Sequence, residues 1–476
     1  MKFKLKSGQD VDLSIDQLTD SYVLIDQGGN VVASVQKEDN LSSFICKDMD
    51  TIFEEDALLF QEKLDKLGHN YLNQMYEGVE TDIDDLDSEE DPFNPQDISI
   101  DTKSITMDTI LRRLEQKSII LNPDFQRSEV WDNGRKSRLI ESLLLKIPIP
   151  MFYVARDEVG NLTVVDGLQR LSTIRDFVLG REYYNDPILN KDKKEIGLAL
   201  TGLEFWKELE GSTMKQLPIN LYNRIYETEF SFTIINPRTP EEVKRNIFKR
   251  INTGGMPLSS QEIRNALYGG RATKLLNKLV TLDLFKKATS YSIKSERMED
   301  RELVLRLVSF LIRKPETYVR TTTADIWLSD TMIILNAMPY FNTKEYKRIK
   351  NRLVGGIDES ELQIYTDEAI ESKVGLALER AYQLFGNSAF RKSLPGHRRS
   401  PINQALFEVW GVLLSRMSEV HFSTLYENRT LFFEEYGSLL SQPEFIVAIS
   451  RDSMRNTSVK SRYVNLAELI NKYTND

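Results

Sequence analysis

One stretch constrains this chain more than any other: Leu162 to Gly180, reading L-T-V-V-D-G-L-Q-R-L-S-T-I-R-D-F-V-L-G. Its first four residues are apolar or β-branched, which suits a short buried strand. After Asp166-Gly167 the period changes. Leu168, Leu171, Ile174, Phe177 and Val178 recur at helical spacing, and Gly180 supplies a stop. The segment therefore predicts strand, tight turn and helix, with Asp166, Gly167, Gln169, Arg170, Ser172 and Thr173 around the helix N-terminus. Backbone N–H groups left free in a first helical turn, together with the positive end of the dipole, draw anions. An arginine there adds a planar fork that matches a phosphate. The pattern reads as a phosphate site built without a Walker loop, in which Asp166 holds Arg170 or ligates a Mg²⁺ ion bridging phosphates. The competing reading is a glycine-bearing turn whose arginine simply pairs with the aspartate, since short motifs match by chance.

Around this stretch the chain reads as an α+β protein in four parts: an acidic α+β appendage (1–79), an acidic linker (80–100), a core (101–271) and an α-helical region (272–476). The appendage has short strands at Lys2–Lys6, Val11–Leu13, Tyr22–Ile25 and Val31–Val35, a turn signal at Gln27-Gly28-Gly29-Asn30, and a helix over 51–77. Residues 80–91 hold eight acidic side chains, with Pro92 and Pro95 beyond them. Such a composition makes a solvated linker, or an acidic plug that competes with nucleic acid for the body. The core opens with an amphipathic helix, Ser104–Gln116, followed by the irregular, polar and aromatic Ile119–Trp131. A helix from Asn133 to Lys146, a strand Met151–Ala155 and a hairpin turn at Asp157–Asn161 lead into the central stretch. Beyond Gly180 a polar insertion extends to Leu221, then a strand Glu227–Ile235 and a helix opening at Thr239-Pro240. Gly254-Gly255 break that helix; Ser259 caps the next, with Glu262 at capping-box spacing. From Ala272 onward helical periodicity dominates, as in 302–312, 331–337, 362–385, 402–417 and 463–473.

Charge sharpens the division. Residues 1–100 hold 7 Lys and Arg against 24 Asp and Glu, which leaves 55 against 48 in the rest, so the net charge of -10 hides a mildly basic body. Such a body can meet nucleotide or nucleic acid. No apolar run is long enough to span a membrane, and the N-terminus lacks the apolar segment of a signal peptide. The single cysteine, Cys46, excludes an internal disulfide framework. The expectation is a cytoplasmic protein with no membrane partner.

Other polar groups have two readings each. In N-P-D-F-Q-R, Gln126 and Arg127 either knit a loop together or face a ligand. In N-T-G-G, Asn252 is the residue expected to point into a site. Arg297, Asp300, Arg301, Glu302 and Arg306 read as an ion network on a helix surface. Arg391, Lys392, His397, Arg398 and Arg399 read as a basic loop, solvated or set against a phosphate backbone. His69, His397 and His421 are too scattered for an H-N-H nuclease centre, and neither a G-x-x-x-x-G-K-[ST] loop nor a G-x-S-x-G elbow is present. Direct nuclease action is the least favoured class.

Four segments in order, N-P-D-F-Q-R-S-E-V-W, I-E-S-L-L-L-K-I-P-I-P, V-V-D-G-L-Q-R-L-S-T-I and I-F-K-R-I-N-T-G-G-M-P-L-S-S-Q-E-I-R-N-A-L, resemble the N-terminal domain of GmrSD-type modification-dependent restriction proteins. The resemblance implies a ParB/sulfiredoxin-like α/β core, a place in bacterial phage defence, nucleotide binding and, in related members, NTP hydrolysis at a D-G-Q-Q-R motif. That motif falls here on Asp166, Gly167, Leu168, Gln169 and Arg170. Leu168 stands where the family has glutamine, which removes one polar group and leaves hydrolysis open beside binding. On this reading Asp166, Gln169 and Arg170 carry the chemistry, and Asp166 is the Mg²⁺ ligand. Gly167, Ser172, Thr173, Gln126, Arg127 and Asn252 contact an NTP of unspecified base. GmrSD-type proteins usually carry an H-N-H nuclease domain, fused or as a partner, and no such pattern is visible here. The expectation is a regulatory or sensor subunit of a DNA-defence system that gates a separate nuclease subunit or DNA engagement; a homo-oligomer stays open. The alternative is a DNA-binding adaptor without NTPase activity.

Overall fold

The computed structural model describes residues 1–18, 21–37, 43–77, 79–80, 99–121, 131–157, 159–180, 198–237, 239–251, 259–293, 295–318, 323–338, 353, 362, 366–450 and 453–474. The expectations for Gln126, Arg127, Asn252 and the acidic stretch beyond Glu80 lie outside the described residues. The chain divides into two compact units, Glu90–Gly269 and Met1–Glu89 with Gly270–Asp476.

In the first unit the strands are β1 (Ile100–Thr106), β2 (Ile119–Ile120), β3 (Phe152–Arg156), β4 (Leu162–Asp166) and β5 (Glu229–Ile235). They form one mixed sheet in the order β1-β5-β3-β4-β2. The β1–β5 and β3–β4 pairs are antiparallel; β5–β3 and β4–β2 are parallel. Side chains alternate across the sheet with period two. Phe152, Val154, Leu162, Val164, Phe230, Phe232 and Ile234 face one layer. That layer is filled from α1 (Met107–Glu115), α2 (Asn133–Leu144), α3 (Leu168–Val178) and α4 (Ile219–Tyr226). Val165 and Ile235 face the other, with Phe248 of α5 (Glu241–Ile251) and Ile263 and Ala266 of α6 (Ser260–Leu267). Side chains as fully buried as Phe232 and Leu171 each stabilise the sheet sandwich by about 1.5–3 kcal/mol.

Two segments differ from their reading in the sequence. Ser104 to Thr106 belong to a strand, and the helix starts only at Met107. β1 is an edge strand that buries little, so its polar residues resembled the opening turn of the amphipathic helix that follows. The described part of the polar insertion buries Leu198, Leu200, Leu203, Leu209 and Met214 in the core layer. It is pinned by Glu141 of α2, whose buried carboxylate accepts the backbone N–H groups of Glu204 (2.9 Å), Phe205 (2.7 Å) and Trp206 (2.9 Å). Burial pushes the Glu141 pKa up, but the three donors, helped by Lys207, outweigh it and hold the carboxyl below its ordinary value.

The second unit joins both ends of the chain. A four-stranded antiparallel sheet runs in chain order through Ser14–Leu18, Ser21–Ile25, Val31–Lys37 and Phe44–Cys46, and the helix Ala57–Glu77 packs on it. The first and last of these strands were not evident from the sequence. Gly29, at φ 78°, closes the predicted hairpin; a Cβ there would stand 2.3 Å from the Pro443 carbonyl oxygen, so only glycine fits. The strand Val79–Glu80 pairs in parallel with Ile402–Asn403. Helices α7 (Glu299–Ile312), α8 (Ala324–Ala337), α9 (Asp367–Phe385), α10 (Gln404–Arg416) and α11 (Asn456–Thr474) build the rest of its core, with shorter helices between them.

Two charged groups differ from what their spacing in the sequence suggests. Arg306 is no surface residue: α7 packs against α8, α9 and α10 and has no free face at that position. Its Nε lies 3.2 Å from Glu408, whose carboxylate also receives Arg462 Nη2 at 2.7 and 2.9 Å. All three are 2 % exposed or less. In the basic loop, Arg391 and Lys392 are buried. Lys392 pairs with Asp16 at 2.7 Å, and Arg391 donates to the Thr289 carbonyl and to Ser292. Burial, with nearby Arg399, lowers the Arg391 pKa to about 10. Only His397, Arg398 and Arg399 of that group are exposed. Among the described residues no helix is long and apolar enough to cross a membrane.

Candidate functional site

β4 ends at Asp166 because Gly167 takes a left-handed conformation, φ 95° and ψ 12°, and acts as the N-cap of α3. Glycine is required on two grounds. A side chain is strained at that φ, and a Cβ would lie 2.3 Å from the ring of Phe152, the fully buried first residue of β3. The antiparallel β3–β4 register, Tyr153 opposite Asp166, brings the beginning of β3 beside the turn.

Arg170 lies one helical turn beyond Asp166, and their side chains meet. Arg170 Nη2 donates to Asp166 Oδ2 at 2.7 Å, and Nη1 donates to the Pro150 carbonyl and, at 3.4 Å, to that of Met151. The guanidinium carbon stands 4.9 Å from the centre of the Phe152 ring. Burial lowers the Arg170 pKa, and the Asp166 charge and hydrogen bond oppose that shift. The pair is lopsided: the Arg170 side chain is 11 % exposed and that of Asp166 39 %. The carboxylate is thus the end that meets solvent.

The remaining residues of the turn divide in the same way. Gln169 Oε1 accepts the Trp131 backbone N–H at 3.4 Å. Thr173 Oγ1 donates back to the Gln169 carbonyl at 2.7 Å, the local bond a helical threonine makes, so its hydroxyl is turned to the backbone. Ser172 Oγ is buried and has no hydrogen-bond partner among the described residues. No side chain caps α3, and the backbone N–H groups of Leu168, Gln169 and Arg170 have no acceptor among the described residues. The structure thus brings together Asp166, Gly167, Gln169, Arg170, Ser172 and Thr173.

Three polar groups of the core unit escaped the sequence reading. Glu141 is one. On α6, which packs against β4, Gln261 Nε2 donates to Asn265 Oδ1 (2.9 Å) and Arg264 Nε to Gln261 Oε1 (3.0 Å), all three fully enclosed. The third is Lys146. Polar residues at i and i+4 within S-Q-E-I-R-N-A-L were a usable signal for the α6 set. The capping box, by contrast, forms as its spacing predicts: Ser259 Oγ accepts the Glu262 N–H, and Glu262 accepts the Ser259 N–H. Among the described residues, no three His, Cys, Asp or Glu side chains gather as a metal site.

Fold and corner together define an α+β domain whose mixed sheet passes a strand to a helix through a left-handed glycine, with a helix start that no side chain caps behind a partly exposed carboxylate. Residues 108–269, which fall within the core unit, match the model of the GmrSD restriction endonuclease N-terminal domain. The match includes the Asp166–Arg170 turn and every strand of the core sheet except β1. Neither the curated proteins nor the solved structures contain a match to this chain.

Proposed function

We propose that the core unit binds a nucleoside triphosphate at the start of α3, as a regulatory subunit of a bacterial restriction system. The family match supports the restriction-system part of this reading. One observation carries the nucleotide part: the first turn of α3 offers three N–H groups without acceptors among the described residues, behind a partly exposed Asp166. Phosphate oxygens take those N–H groups. Arg170 keeps Asp166 in place and lends the turn its positive charge, and Gln169 positions water or base. Magnesium usually binds through one or two carboxylates plus phosphates and water, so a single Asp166 fits it. Bound there, the ion would neutralise phosphate charge. Nucleotide state then gates a partner nuclease or DNA engagement.

The test is equilibrium binding of the full chain to each NTP, with and without Mg²⁺ and DNA. Binding to at least one NTP is expected, weakened tenfold or more in Asp166→Asn. A chain that binds no NTP under any of these conditions overturns the reading.

A second reading draws on Arg170, whose donors already meet Asp166, Pro150 and Met151. There the turn is architectural and the protein is a DNA-binding adaptor. Its signature is DNA affinity that falls steeply with salt and ignores nucleotide.

A further inference from the structure

β5 is flanked by β1 along its whole length, but β3 joins it only from Phe152 opposite Phe232. Beside Glu229–Ser231 the neighbouring segment runs through Pro148 and Pro150, which have no N–H to give a ladder. The gap this leaves is a cavity of about 430 Å³, within the range that small ligands occupy. Its lining joins apolar groups, Ile149 and Phe230 among them, to Lys146, Arg224, Glu227 and Thr228. None of the six residues of the strand–turn–helix corner contributes to it.

The charged groups of this lining are underused. Arg224 Nη1 donates to the Leu144 carbonyl at 2.6 Å, the one bond its side chain makes among the described residues. The side chains of Lys146 and Glu227 have no partner among the described residues. Lys146 is also an odd choice for its backbone. It follows α2 in the left-handed region, φ 57°, with its N–H bonded to the Leu143 carbonyl and the Ile147 N–H to that of Ser142. That helix ending favours glycine. Lys117 ends α1 in the same way, φ 55°, and does not line the cavity. The molecule thus contains its own control.

We propose that this cavity binds a small anion: Lys146 and Arg224 take a phosphate or carboxylate group, and Glu227 accepts a hydrogen bond from an amine or hydroxyl of the same molecule. The experiment is calorimetry on the full chain with two sets of probes, AMP and GMP for phosphate, glutamate and glycylglycine for carboxylate. At least one set binds at millimolar concentration or better, and which set binds assigns the anionic group. Lys146→Gly weakens that binding tenfold or more while its melting temperature stays level or rises. Lys117→Gly and Asp166→Asn leave it unchanged, the latter separating it from any event at the start of α3. Binding by neither set, Lys146→Gly as tight as the parent, or loss in Asp166→Asn each overturns the proposal.

Discussion

The Asp166–Arg170 corner and the Arg306–Glu408–Arg462 cluster use the same chemistry to opposite ends. In the cluster both carboxylate oxygens are taken, Arg306 also donates to Gln404, and all three charged side chains are enclosed. A charge assembly this deeply enclosed fixes helix positions and offers no face to a ligand arriving from solvent. At the corner the arginine is enclosed but the carboxylate is not, and the helix behind it lacks a side-chain cap. Access from solvent, rather than the presence of charge, distinguishes the two.

The largest expected effect breaks the closed member. Glu408→Ala leaves two buried guanidinium groups without their anion and costs about 3–5 kcal/mol, read from denaturant unfolding. Gly167→Ala comes next: strain at φ 95° and the clash with Phe152 cost on the order of 1–3 kcal/mol. That loss is measured the same way, and NTP affinity falls with it. Glu141→Gln trades a charge-assisted acceptor for a neutral one and costs about 1.5–3 kcal/mol. It has a pH signature as well. Because the folded Glu141 pKa is depressed, its contribution is complete above the unfolded carboxyl range and is lost as pH falls through the folded value. Unfolding titrations below neutrality should therefore be flatter in Glu141→Gln than in the parent. Asp166→Asn should cost least, under about 1 kcal/mol, because its ion pair is partly solvated. If that small cost came with unaltered nucleotide affinity, the contrast between the two charge groups would lose its functional meaning.

The corner was legible because its information is local. The change of period after Asp166, the glycine and the arginine one turn on lie within a few residues, and the structure keeps them in that order. Ser259 and Glu262 were readable for the same reason. Glu141 was not, because its three donors come from residues 63 to 65 positions later and are backbone groups that any sequence would supply. Arg306 misled in a more instructive way. Charges at its spacing look solvated when the helix is read alone, and only partners 102 and 98 residues on, Glu408 and Gln404, make the site a closed one. Strand β1 was obscured by its edge position. What the sequence could not convey was which charges find partners across long chain separations.

The buried Asp16–Lys392 pair joins residues 376 positions apart. During synthesis the N-terminal sheet therefore leaves the ribosome long before its cation exists, while every residue of the core unit is already available. The carboxylate is made well ahead of its cation, and the whole core unit is made between them.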